Sequence, residues 1–146
     1  MTFDRGLLGR VADAVPDAII VADRAGKIEY WNSGAERIFG FTADEAVVSS
    51  LDLIIPDRLQ ERHWTGFRNA VENGTSRYGP GDLLAVPART ADGRRASIEF
   101  TVAFLLDHDQ VTHVAAVLRD VTERREQEME LRRRLAELGD GTSAPG

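Results

Sequence analysis

Three histidines and a set of scattered carboxylates are the side chains that could do chemistry in this 146-residue chain, which has no cysteine. His63 is the most distinctive. It lies in Glu61-Arg62-His63-Trp64-Thr65-Gly66-Phe67, inside a segment with helical character. Trp64 and Phe67, three residues apart, share a helix face, and core packing is the simpler reading of both. His63 itself reads either as a ligand whose direction the helix fixes or as a hydrogen-bonded helix residue. His108 stands between Asp107 and Asp109, and His113 follows on the next strand. Imidazoles and carboxylates hold metals, but this spacing matches no metal motif, and a solvated turn explains it. Nothing points to catalysis. There is no nucleophile elbow, no His-Glu-x-x-His pattern and no phosphate-binding loop. Gly79-Pro80-Gly81 breaks a loop before a strand, and Gly6 and Gly9 form no cofactor fingerprint. The expectation is a protein that is not an enzyme.

The composition sets the frame. Hydrophobic residues make up 42% and charged residues 29%, with a net charge of −6. A chain of this length can bury one real core. Without a basic excess it has no means of displacing counterions from nucleic acid, and no apolar run approaches the ~20 residues of a membrane span. No nucleic-acid or membrane partner is expected. The opening residues lack a secretory signal, so the expected location is the cytoplasm.

Periodicity then gives the elements that must position these residues. Phe3, Leu7, Val11 and Val15 stripe a first helix over 3–15, ended by Pro16. Strands are expected at 18–23 and 27–31, joined by the turn Asp23-Arg24-Ala25-Gly26. Asn32 is placed to cap a helix over 33–39. Thr42 and Glu45 have capping-box spacing ahead of a helix over 43–49. Pro56 and Asp57 open a long helix over 57–73, which Asn73-Gly74 closes. Strands at 82–89, 95–106 and 111–119 follow. In the middle one Ala96, Ile98, Phe100, Val102 and Phe104 alternate with Arg95, Ser97, Glu99 and Thr101, which predicts one buried and one wet sheet face. A last helix over 121–138 opens with capping-box spacing at Asp120 and Glu123. It carries Val121, Leu131, Leu135 and Leu138 in a/d register. The tail, 139–146, reads as disordered.

Four stretches in this order resemble PAS domains, the sensory modules of bacterial signalling proteins. They are Asp17–Gly40 running on into the core-helix stretch Glu36–Glu45, the Leu53-Ile54-Ile55-Pro56 entry to the long helix, the Thr90-Ala91-Asp92-Gly93-Arg94 hairpin, and the closing stretch Leu118-Arg119-Asp120-Val121-Thr122-Glu123-Arg124. The resemblance covers roughly residues 4 to 124. It implies an α+β fold: a five-stranded antiparallel sheet in the order 2-1-5-4-3 with short helices on one face. The implied units are an N-terminal amphipathic helix at 1–16, a sensory domain at 17–120, a coiled-coil-like signalling helix at 121–138 and the tail. The implied ligand pocket is lined from the helices by Phe39, Leu53, Ile55 and Phe67. From the sheet it is lined by Ile20, Leu84, Val86, Ile98, Phe100, Val102 and Val117. Asp120 and Thr122 would relay a shift of the last strand to the last helix.

Three functions are open on this reading. One is a sensory and dimerising module acting on a histidine kinase or a transcriptional regulator, either free-standing or as part of a longer sensor. The second comes from a likeness to the heme-containing PAS oxygen sensors of nitrogen-fixing bacteria, in which an Arg-His pair on the long helix supplies the heme ligand. That likeness puts His63 on the iron, opposite a wall of Ile98, Phe100 and Val102. Leu84 stands where those sensors place an oxygen-contacting arginine, and Asn69 replaces another. A heme held here would therefore still take carbon monoxide or nitric oxide, while bound oxygen would lack its donor. The third is an interaction domain whose pocket its own side chains fill. The absence of cysteine excludes cysteinyl-flavin photochemistry.

Overall fold

A computed structural model describes residues 5–74 and 84–143. Five strands form one antiparallel sheet in the order β2-β1-β5-β4-β3, the order implied above. They are β1 Ala18–Asp23, β2 Ile28–Trp31, β3 Leu84–Arg89, β4 Arg95–Asp107 and β5 Gln110–Asp120. The helices are α1 Arg5–Ala14, α2 Ser33–Phe39, α3 Ala43–Ala46, α4 Asp57–Asn73 and α5 Thr122–Ser143, with a 3-10 turn at Leu51–Leu53.

Local chemistry accounts for most element ends. The Asp23 carboxylate accepts from the N–H groups of Ala25 and Lys27, and Gly26 takes φ +85°, closing the β1–β2 turn. The Thr42 hydroxyl accepts from Glu45 N–H and the Glu45 carboxylate accepts from Thr42 N–H, a complete capping box. β3 is an edge strand and carries Pro87, whose missing N–H suits an edge.

One residue ties three elements together. Asn32 is fully buried. Its Oδ1 accepts from Ile19 N–H at 2.8 Å and from Ala35 N–H at 2.9 Å, and its Nδ2 donates to Ala12 O at 2.6 Å and Asp17 O at 3.0 Å. The helix cap foreseen at this position is thus also the anchor of α1. Gly34 makes the approach of α2 fit: a Cβ there would lie 2.1 Å from Asp17 O.

The core lies between the inner sheet face and α2, α3 and the 3-10 turn. It is built on Ile20, Ile28, Trp31, Phe39, Ile54 and Ile98. Trp31 is part of it, with its indole N–H on Phe41 O and its ring 5.5 Å from Phe39.

Several expectations need correction. α3 stops at Ala46, because Val47 serves as its C-cap. β4 and β5 run to Asp107 and from Gln110, since His108 and Asp109 both take positive φ and make the turn alone. The wet face is not uniformly wet. Ile19 pairs with Val117 and Val117 with Thr101, while Val21 pairs with Ala115 and Ala115 with Ala103, so these side chains share the outer face. Val117 is 43% exposed and Leu105 46%. α5 continues to Ser143, well past Leu138 and into the stretch read as disordered. Val121 is buried, so it anchors the start of α5 to the domain and is lost to any coiled-coil seam. Asp120 precedes the cap position, and its carboxylate accepts from Thr122 N–H at 2.9 Å in place of a capping box with Glu123. Phe3, residues 82–83 of the expected third strand and Gly79-Pro80-Gly81 lie outside the described residues.

Asn32 yields a direct test. Removing its side chain leaves buried backbone groups unpaired, each costing about 1–3 kcal/mol, so Asn32→Ala should lower stability by about 3 kcal/mol in urea unfolding. Asn32→Asp should be about as harmful, since a carboxylate keeps the acceptor but points oxygen at two carbonyls. An Asp variant as stable as the native chain would show that the two donated bonds hold nothing.

Candidate functional site

α4 presents His63, Trp64 and Phe67 inward. Its N-terminus is fixed by Arg89 at the end of β3, which donates to the Asp57 carboxylate at 3.0 Å and to Asp52 O at 2.9 Å. Trp64 fixes the next turn. Its indole N–H donates to the Asp52 carboxylate at 2.6 Å, and its ring lies so close over Gly26 that a Cβ there would stand 2.1 Å from it. These contacts lie 12 and 38 residues apart in sequence and pin the helix to the 3-10 turn and to the β1–β2 turn.

His63 packs beside this clamp. Its ring centroid is 4.8 Å from Trp64, edge to face, and 5.8 Å from Phe67. Nδ1 is buried and has no hydrogen-bond partner; among the described residues it shares that condition with the Tyr30 hydroxyl. Burial pushes the His63 pKa below its ordinary value, and the nearby Asp52 charge opposes the shift. The imidazole is thus held neutral, with an unused ring nitrogen facing the interior.

The proposed pocket residues fall into distinct groups. Ile20, Phe39 and Ile98 are fully packed in the core. Leu53, Ile55 and Phe100 are half-buried against it. Phe67 and Val102 are half-buried beyond it, where α4 covers the sheet mainly along β5. Val86 is on the inner face, paired with Ile98, but is 39% exposed. Val117 lies on the outer face and cannot line an inner pocket. Leu84 pairs with Phe100, and its side chain lies outside the described residues. A cavity of about 110 Å³ opens elsewhere, between Val86, Pro87, Ser97 and Arg125.

Asp120 and Thr122, the residues expected to relay, do meet. The Thr122 hydroxyl donates to the Asp120 carboxylate and accepts from Ser97 N–H at 2.9 Å, while Val121 N–H donates to Ser97 O at 2.9 Å. The first turn of α5 is therefore stitched to β4. The remaining histidines are separate: His113 Nε2 is 2.8 Å from Glu29, and His108 is 3.5 Å from Asp107. Among the described residues no group of three or more His, Asp or Glu side chains could hold a metal. None of their helices is long and apolar enough to cross a membrane.

The sequence reading passed over Arg89, Asp52 and the donor half of Asn32. Nothing local marks them, because their partners come from other elements.

A five-stranded sheet in this order, covered on one face by short helices and one longer one, is the architecture of a sensory domain. The PAS fold family model matches residues 12–126, and the chain belongs to that family, whose members are generally sensory, non-catalytic modules. The chain is 34% identical over 56 residues to the sensor protein FixL of Bradyrhizobium diazoefficiens, a match covering 38% of this chain and 11% of that protein. The PAS domain of a Colwellia psychrerythraea protein superposes with a TM-score of 0.69 at 24% identity, over 81% of this chain and 97% of that one. A sensory box histidine kinase/response regulator structure from Burkholderia thailandensis gives 0.62 at 18%, over 94% and 99%. The chain spans 11% to 12% of the length of the curated relatives it matches.

The lowered His63 pKa has a defined sign. The unfolded chain binds the proton more readily, so the penalty begins as pH falls through the ordinary value of 6.5 and is complete below the lowered folded value. The melting temperature of the native chain, measured against His63→Leu, should therefore fall between about pH 8 and about pH 5. A pH-independent difference between the two would mean that the folded and unfolded chains bind the His63 proton equally well, so that burial does not shift its titration.

Proposed function

We propose that this chain is a sensory and dimerising module of bacterial signal transduction. A small ligand or a partner shifts the sheet, and β5 passes that shift to α5 and so to a histidine kinase or a transcriptional regulator, in the cytoplasm. One observation carries the reading: β5 runs without a break into a helix that is stitched to the sheet at its first turn and uncovered thereafter. Leu131 and Leu135 are each 59% exposed and Leu138 64%. Burying such a side chain is worth roughly 1.5–3 kcal/mol, and matching leucines from a second copy would supply the cover. Leu7, Leu8 and Val11 of α1 are exposed in the same way, and the outer sheet face adds Val117 and Leu105. The half-buried Phe67, Phe100 and Val102 mark the less tightly packed part of the interior, which suits a ligand site. The sensor name of the Bradyrhizobium protein and the histidine kinase title of the Burkholderia structure support the class of downstream partner.

Deleting residues 125–146 should weaken the dimer at least about tenfold, that is by ~1.4 kcal/mol or more, as read by sedimentation velocity over a concentration series. An undiminished dimer would remove α5 from the interface.

A second reading rests on His63. Its unpartnered inward nitrogen is a competent axial ligand for heme iron. The fit is confined to that ligand. Ile98 is spent in core contacts, and no arginine stands at the position of Leu84. Protein reconstituted with hemin should show a Soret band that His63→Ala abolishes. A colourless wild type ends this reading and leaves the first untouched.

A further inference from the structure

Five charged side chains cross the outer face of the sheet in strict alternation from the foot of α1 to the second turn of α5. Asp17 follows α1 and is held in place through its own carbonyl by Asn32. Both of its carboxylate oxygens face Arg119 of β5, each at 3.4 Å. Arg119 stands directly across the ladder from Glu99 of β4, and the Glu99 charge acts on it along with Asp17. Glu99 accepts from Arg124, in the first turn of α5. Arg124 in turn places its Nε 3.8 Å from Glu128, one turn further along. The Glu99 side chain is 18% exposed and that of Arg124 49%, so the pair sits at the edge of solvent.

We propose that Arg124 is a two-position latch that sets the angle of α5 against the sheet, with Asp17, Arg119 and Glu99 as its fixed side and Glu128 as its alternative. This rests on reading α5 as the output helix. The physical case is the sharing of Arg124. When α5 lies against the sheet, Arg124 bridges Glu99 and Glu128. When α5 swings away, Arg124 loses Glu99 but keeps Glu128, and Glu99 keeps the charge of Arg119 across the ladder. Both arrangements are satisfied, which is what a bistable element needs. Each pair is exposed enough to be weak and salt-sensitive, so a small change in the sheet can move the balance. Because Asp17 is joined to α1, a shift of α1 reaches the latch through the same chain of charges.

The chain has no cysteine, so nitroxide labels at Arg95→Cys and Glu137→Cys report the α5 angle without background. Distances are measured on the full chain diluted with unlabelled chain, so that each distance comes from within one copy. Glu99→Gln should raise the swung-out population by roughly two- to fivefold, the range expected of one exposed pair. Glu128→Gln should lower it, because Arg124 then has Glu99 alone. A structural role with no latch would not give opposite signs. Sodium chloride at about 1 M, where the Debye length is ~3 Å, should act on the unmodified pairs as Glu99→Gln does, which covers the case of a variant that fails to fold. A distance distribution unmoved by salt, or moved the same way by both variants, overturns the latch. Neither result touches dimerisation, which the truncation tests separately.

Discussion

A buried amide is costly unless every polar atom it carries is paired, and Asn32 is buried with all four of its side-chain positions used. That requirement organises the protein. The Oδ1 bonds to Ile19 and Ala35 fix the start of α2 against β1, and the Nδ2 bonds to Ala12 and Asp17 fix the end of α1 against both. Asp13 adds a neighbouring contact, accepting from the Ser33 N–H and hydroxyl. α1 is therefore not a loose leader. Its polar end is locked into the domain while its apolar stripe stays outside it, which is the arrangement expected of a helix that packs against something else.

From that fixed corner the packing loosens across the sheet. Near α2 and α3 the inner face is dense, with Phe39, Ile28 and Ile98 fully buried. Near α4 it is not. α4 is held by its ends and by Trp64, through Arg89, Asp52 and Gly26, more than by a continuous apolar seam. Among the described residues of α4 Val71 alone is buried, and it lies near the end of the helix. The dense half supplies the stability that a small domain needs. The looser half can change shape at lower cost, since fewer close contacts are lost when it moves. His63, Phe67 and Val102 lie in that looser half.

What the sequence disclosed follows from the range of each interaction. Features made by neighbours were legible: the Asp23–Gly26 turn, the Thr42–Glu45 capping box, the Asn32 cap and the Asn73-Gly74 stop. The strand order came from the family resemblance and not from any single stretch. Features that depend on register were misread. Val117 was assigned to the inner face because nothing in β5 alone says which alternate set faces the helices. The answer lies in its pairing with Ile19 and Thr101. Val121 fits a heptad by spacing, yet the ladder continues one residue past β5 and draws it into the core. The Asp57–Arg89 and Glu99–Arg124 pairs have separations of 32 and 25 residues, and no local pattern predicts them.

The junction between β5 and α5 joins a rigid ladder to a free helix through very few atoms. The Thr122 hydroxyl is used twice, as donor to Asp120 and as acceptor from Ser97 N–H. Ser97 lies on β4, opposite Pro87 of the edge strand β3. Both backbone groups of Ser97 point to the β5 side, where they serve Val121 and Thr122. The start of α5 is consequently referenced to β4 as well as to β5, from which it emerges. A twist between those two strands must rotate the first helical turn, because its bonds go to both. Further along α5 that rotation is no longer restrained by the sheet, and a helix converts a small turn at its root into a larger displacement at its tip. These bonds are few, and the placement of Leu131, Leu135 and Leu138 follows from them.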